Sequence, residues 1–184
     1  MRFFSRRRRE QVTQQAGQGN QPAISTSPNP PAPNIPEPNP LAPKKLTSQR
    51  VMAWLKQAEL PFFIDSDGDL GAIHESRTFY FLLFGSGREI FQVRGRWNRP
   101  VTIERSPEVL EFCNEWNTKM IWPKAYFRVR DDGQIHIYGE VSMTYEYGIT
   151  DDQIGAMIMC GLQTNTQFFS ELNKAFPDPT QVAP

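Results

Sequence analysis

Apolar positions in this chain recur first at helical and then at strand spacing. Val51, Trp54, Leu55 and Ala58 share one helical face, which predicts a short helix over residues 49–59, capped by Thr47 or Ser48 and ended by Pro61. The run PFFIDSDGDLGAIHE reads as a strand, a turn at Asp67-Gly68 and a second short strand. Residues 78–84 are apolar on both faces, with Phe79, Phe81 and Leu83 alternating with Tyr80, Leu82 and Phe84. That pattern predicts a strand buried on both sides and central in its sheet. Beyond Gly85-Ser86-Gly87, the residues Phe91, Val93, Gly95 and Trp97 alternate with Gln92, Arg94, Arg96 and Asn98, the period of a half-buried strand.

Ser106 is expected to cap a second helix with Pro107 at its first position, followed by Val109, Leu110, Cys113, Trp116 and Asn117 at helical spacing. Pro123 closes the crossover. The next hairpin has a predicted register. A three-residue loop, Asp131-Asp132-Gly133, with a left-handed glycine sets Val129 against Ile135, Phe127 against Ile137, Arg128 against His136 and Lys124 against Glu140. A two-residue loop would oppose Arg128 to Ile137 and mix the faces. Thr150 and Gln153 form a capping box for a last helix reaching about Ala175, with Ile154, Ile158, Leu162, Phe168, Phe169 and Leu172 as its apolar stripe. Helix, four strands, helix, two strands and helix describe an α+β domain built on an antiparallel sheet.

Composition adds an appendage. Residues 1–45 carry seven basic side chains against two acidic ones, and nine of the sixteen prolines lie between Pro22 and Pro43. With few large apolar groups, this segment is expected to be a disordered arm, basic and then proline-rich. The folded domain is expected over residues 46–178, with a short tail at 179–184. The remainder of the chain has 13 basic and 18 acidic residues, so the domain is acidic. Arg6, Arg7, Arg8 and Arg9 beside Phe3 and Phe4 form a candidate contact with anionic lipid or nucleic acid, although four charges bind weakly and in a salt-sensitive way. No apolar segment follows the basic start, and no apolar run approaches the length of a bilayer span. Cys113 and Cys160 lie in predicted helices and fit free thiols in a reducing compartment. A cytoplasmic location is expected.

Candidate chemistry is sparse. Asp65-Ser66-Asp67-Gly68-Asp69 resembles a calcium loop, but its glycine and Glu75 fall at the wrong positions, so a hairpin turn is expected. Gly85-Ser86-Gly87-Arg88 is too short for a phosphate loop. His74 and His136 have no neighbouring ligand at metal spacing. Cys113 sits on an apolar helical face, unlike a nucleophile. No cofactor, metal or catalytic residues are assigned. Arg94 and Arg96 on one strand, with Arg128 and Arg130 on another, would build a basic ridge interleaved by Tyr126 and Tyr138, a nucleic-acid-like footprint. Alternatively, the arginines pair across strands with Glu140, and His136 and Glu146 line the same polar face.

The ordered segments VMAWLKQAELPF, DSDGDL, IFQVRGRW, NEWNTKMIWPKAYFRV and DDGQIHIYGE, between about Thr47 and Pro177, resemble the YbjN-like family, bacterial proteins with a proposed role in regulating sensory transduction. The resemblance implies a fold similar to type III secretion chaperones, which commonly dimerise. It therefore implies a non-enzymatic, chaperone-like or regulatory module that binds another protein as a homodimer or with a related domain. It carries no catalytic residues. Its recurring Arg96, Trp97, Asn114, Trp116, Asn117, Trp122, Pro123 and Tyr126 are implied to be mainly structural. With Arg94 and Arg128, all of these but Asn114 make up the candidate partner-binding set. The alternative function is a regulator recruited to membrane or nucleic acid by Arg6–Arg9.

Overall fold

The computed structural model describes residues 42–178. In chain order the elements are α1 (Ser48–Gln57), β1 (Phe62–Ile64), β2 (Leu70–His74), β3 (Arg77–Phe84), β4 (Ile90–Arg96), β5 (Val101–Thr102), α2 (Ser106–Lys119), β6 (Lys124–Val129), β7 (Gln134–Thr144) and α3 (Asp151–Ala175). The fold is α+β. All strand pairs are antiparallel, in the order β1-β2-β3-β4-β7, with β6 on the far side of β7. The short β5 was not foreseen. It pairs Val101 with Ile135 and so continues the line of β4 along β7 after the break at Asn98-Arg99-Pro100.

Local chemistry explains most of the boundaries. Thr47 caps α1 by accepting from Arg50 N–H, and Thr150 with Gln153 completes the capping box of α3. The predicted hairpin register is observed in full: Val129↔Ile135, Phe127↔Ile137, Arg128↔His136 and Lys124↔Glu140, with Gly133 at φ +74°. Ser106 departs from expectation. It is already helical, preceded by a 3-10 turn at Ile103–Arg105, and its side chain caps nothing. The turn supplies the helical approach that a capping residue would otherwise initiate, and Pro107 still lies within the first helical turn.

One hydrophobic cluster joins the sheet to all three helices. Phe79, Phe81, Phe91, Val93, Ile135, Ile137 and Val141 pack with Val51, Leu55, Val109, Cys113, Ile158, Leu162, Phe168 and Phe169. The strand residues in this set share one face by register, so the helices lie on that face and the other carries none. This corrects the expectation for β3. It is interior in the sheet, yet Tyr80 is half-buried and Phe84 is 42% exposed; only Leu82 is buried on the helix-free side. Tyr80 is covered instead by an edge-on contact with Phe63, centroids 6.0 Å apart.

Glycines set how closely α3 approaches. Gly95 and Gly139 are cross-strand partners. A Cβ at either would enter the space filled by the buried Asn165 amide, and at Gly139 also that of the Pro123 ring. Gly161 lies against Val93, and Gly155 against the Trp54 indole. At the opposite end, Arg50 ties α1 to the start of α3. It donates to the Asp151 carboxylate and to the carbonyls of Lys44, Lys45 and Ile149. Gly139→Ala is therefore expected to lower stability by roughly 2–3 kcal/mol through overpacking, whereas alanine at Gly133, where a Cβ meets nothing and only φ is strained, costs about 1 kcal/mol. Urea unfolding of both variants checks the difference.

Candidate functional site

The sequence-nominated residues divide between two places. Trp97, Trp116, Asn117, Trp122 and Pro123 belong to the joint between α2 and β6 or to the core behind it. Trp116 is buried and donates its indole N–H to Pro123 O at 3.0 Å. The Trp122-Pro123 peptide bond is cis, and Trp122 packs partly buried against the core. The Asn117 amide receives Ala125 N–H at 2.8 Å and donates to Ala125 O at 2.9 Å. It thus imitates a neighbouring strand along the outer side of β6. Trp97, on the helix side, donates to Asn173 Oδ1 and lies under the Arg99 guanidinium at 4.6 Å. These five residues tie α2 to β6 and close the core behind the joint.

Arg94, Arg96, Tyr126 and Arg128 come together elsewhere, on the helix-free face. The registers lay two rows across β4, β7 and β6: Arg94, Glu140 and Lys124 in one, Arg96, Tyr138 and Tyr126 in the next. Tyr126 and Tyr138 stack at 5.4 Å with planes 17° apart, and Arg128 sits over both rings at 5.8 and 6.0 Å. Lys124 adds a second cation over Tyr126, at 5.6 Å. Glu140 lies 3.3 Å from Lys124 and 3.9 Å from Arg94, while Arg94 donates to Gln92 Oε1 at 2.6 Å. Cross-strand pairing therefore uses Arg94 but leaves Arg96 and Arg128 without an acidic partner among the described residues. Glu146 is not on this face: it lies beyond the end of β7, lining a cleft with Lys45 and Arg88.

With Arg130, which closes the hairpin at its base, five cationic side chains gather on this face around Glu140, while Asp132 lies beside His136 at the hairpin end and Asp65 beside Tyr80 towards β1. The titrating groups register that field. His136 is held below its ordinary range by burial first and then by Arg96 and Arg130, with Asp132 opposing them. Burial pushes the Tyr126 phenol up to about 12, with Glu140 adding to the rise and Arg94 and Arg128 opposing it. The Tyr126 hydroxyl and Arg94 Nε are buried without a hydrogen-bond partner of good geometry. Sequence periodicity could place these side chains on one face. It could not show that the tyrosines stack.

Other candidates resolve simply. The Asp65 carboxylate accepts from Asp67 N–H and Asp69 N–H, and Gly68 is left-handed, so the segment is the β1–β2 turn. Glu89 accepts from Gly87 N–H in the β3–β4 turn. Cys113 is buried, and burial raises its thiol from 9.0 to about 11. Among the described residues, no three His, Cys, Asp or Glu are grouped to hold a metal ion, and no helix is long and apolar enough to cross a membrane. On α3, Gly155, Met157 and Gly161 are buried in the core, while Met159 is exposed. Arg6–Arg9 lie outside the described residues.

Two expectations follow from these environments. Removing the unpartnered hydroxyl with Tyr126→Phe should leave stability unchanged or raise it by up to about 1 kcal/mol, whereas Asn117→Ala, which strands both backbone groups of Ala125, should cost about 2 kcal/mol; chemical denaturation distinguishes them. The Cys113 thiol is the second. Its raised folded pKa favours the neutral form, so the associated stability is complete below pH 9 and is lost as pH rises through about 11. Thermal unfolding from pH 7 to 11 should show a decline beginning near pH 9 that Cys113→Ala flattens.

A family model described as "putative bacterial sensory transduction regulator", named YbjN, matches residues 47–174. Curated proteins yield no match in sequence. Among solved structures, the fold is similar to that of E. coli YbjN, described as "a putative transcription regulator", with a TM-score of 0.63 and 13% identity over 72% of this chain and 96% of that one. It is also similar to an uncharacterised protein of Methanothermobacter thermautotrophicus, with a TM-score of 0.51 and 8% identity over 71% and 99% of the two chains. The model's match covers more than half of the sequence and ends within the last turn of α3, and on that basis the chain belongs to the YbjN family.

Proposed function

We propose that this protein is a regulatory module without catalysis of its own, which acts by binding another protein through the helix-free face of its sheet. One observation carries the reading: the Tyr126–Tyr138 stack, capped by Arg128 and bordered by Arg96, is left open while the helices cover the opposite face. Aromatic rings with an arginine are the side chains most often found anchoring protein partners. The acidic balance of the folded part weighs against nucleic acid as the general ligand of the domain. Assembly into a homodimer, or with a related domain, belongs to the same proposal.

A photo-crosslinking amino acid at position 138 in the full chain should capture a discrete protein in cells, while the same group at the exposed position 163 on α3 should not. Equal capture at both positions, or none at 138, would refute the reading. Sedimentation of the purified chain at tens of micromolar tests the dimer. The arm supplies the control: deleting residues 1–20 should leave capture at 138 intact. If deletion instead abolishes capture at 138 and retention on anionic vesicles or DNA at low salt, recruitment through Arg6–Arg9 replaces this proposal.

A further inference from the structure

The two edges of the sheet differ in how far they admit another strand. β1 is three residues long, follows Pro61 and runs into Asp65, Asp67 and Asp69. Such brevity, proline and charge deter pairing. β6 is six residues long. Its hairpin closes with Arg130 N–H donating to Gln134 O at 2.7 Å, so by alternation Arg128, Tyr126 and Lys124 bond towards β7. The backbone groups of Ala125, Phe127 and Val129 consequently point away from the sheet. Those of Ala125 are occupied by the Asn117 amide. Those of Phe127 and Val129 have no partner among the described residues.

The chemistry beside this free half-strand is specific. Val129 is 49% exposed and Phe127 half-buried on the helix side, while Arg128 is exposed on the other side among Arg96, Arg130 and Lys124. A second copy of the chain fits poorly. Two-fold pairing centred on Phe127 would set Val129 against an Ala125 already bonded to its own Asn117. Centred on Arg128, it would oppose two Arg128 side chains. Centred on Val129, it would oppose Arg128 to Arg130. Like charges directly opposite one another destabilise a ladder.

We infer that residues 127–129 take an extended acidic segment of a different protein as an added strand, with its apolar side chains beside Phe127 and Val129 and a carboxylate beside Arg128. This rests on the protein-binding reading above and names the partner chemistry. The free backbone groups supply the ladder, and the excess of cations supplies the preference for acid over base.

The test uses the full chain and a fluorescein-labelled peptide of about ten residues that alternates valine and glutamate, followed by anisotropy. Saturable binding is expected, weakened about tenfold or more by Arg128→Glu, a change at an exposed side chain that leaves the fold intact. Val129→Pro should also abolish it, because the lost N–H points outward and belongs to no bond with β7. A peptide methylated on alternate backbone nitrogens, or one with lysine in place of glutamate, should fail to bind. Undiminished binding by Arg128→Glu or by the methylated peptide would overturn the inference, as would no binding at all. Arg128-dependent competition by an oligonucleotide would overturn it in favour of nucleic acid. If crosslinking at position 138 persists while the peptide fails, protein binding stands and strand addition falls; if both fail, the proposed function falls with it.

Discussion

The close approach of α3 to the sheet over Gly95 and Gly139 is the constraint on which the rest of the structure depends. Asn165 is fully buried there, donating its amide to Gly161 O and resting its carbonyl against the two glycines. That carbonyl oxygen has no conventional partner, a deficit of about 1–3 kcal/mol. The glycine Cα hydrogens offset part of it. Pro123 rests on the same Gly139, and Pro123 O receives the Trp116 indole, so the seat of α3 and the joint between α2 and β6 share one contact. Displacing α3 outward would therefore loosen the edge strand as well as the core.

Placing every helix on one face also decides the character of the other. The strands alternate, so each apolar residue committed to the core sends its neighbours to the open side. On β4, β7 and β6 those neighbours include Arg94, Arg96, Arg128 and Lys124, the two stacked tyrosines, Gln92, His136 and Ser142, with Glu140 as the one acid in these rows. The result is a locally cationic surface on a chain whose folded part is acidic overall. That separation of charge is not needed for folding: exposed pairs contribute little, and Glu140 is paired with Arg94 and Lys124 alone among the five cations. A locally uniform sign is the feature that orients a charged partner during encounter.

The fold was legible in the sequence wherever a local rule had one outcome. The Thr150–Gln153 box and the Asp131–Gly133 loop determined a helix start and a whole ladder register, because a slip would invert every side chain. Legibility failed where tertiary covering decides. Residues 78–84 are apolar on both faces, but nothing local reveals that only one face would receive helices, so β3 was expected to be doubly buried. Ser106 failed for a related reason, since a preceding 3-10 turn took over the role of a cap. For the candidate face, period two assigned Arg94, Arg96, Tyr126 and Arg128 to one side. The Tyr126–Tyr138 stack and the partial neutralisation of Arg94 required coordinates. Asn165 gave no signal at all: a polar residue in an apolar helix stripe shows neither its burial nor the two glycines beneath it.

Asn117 joins these themes. An exposed edge strand invites indiscriminate pairing, and proteins commonly blunt such edges with charge, proline or a covering element. Here one amide from α2 satisfies Ala125 and so shortens the usable edge from the helix side, while Arg128 and Arg130 make the remaining length repel its own copy. The same three residues do not repel an acidic strand. Blocking self-association and admitting a complementary partner are thus achieved by a single arrangement, because specificity is a difference between two affinities and like charge raises one side of it. The joint that begins as a structural tether between α2 and β6 ends by determining which part of the sheet can be extended, and by what.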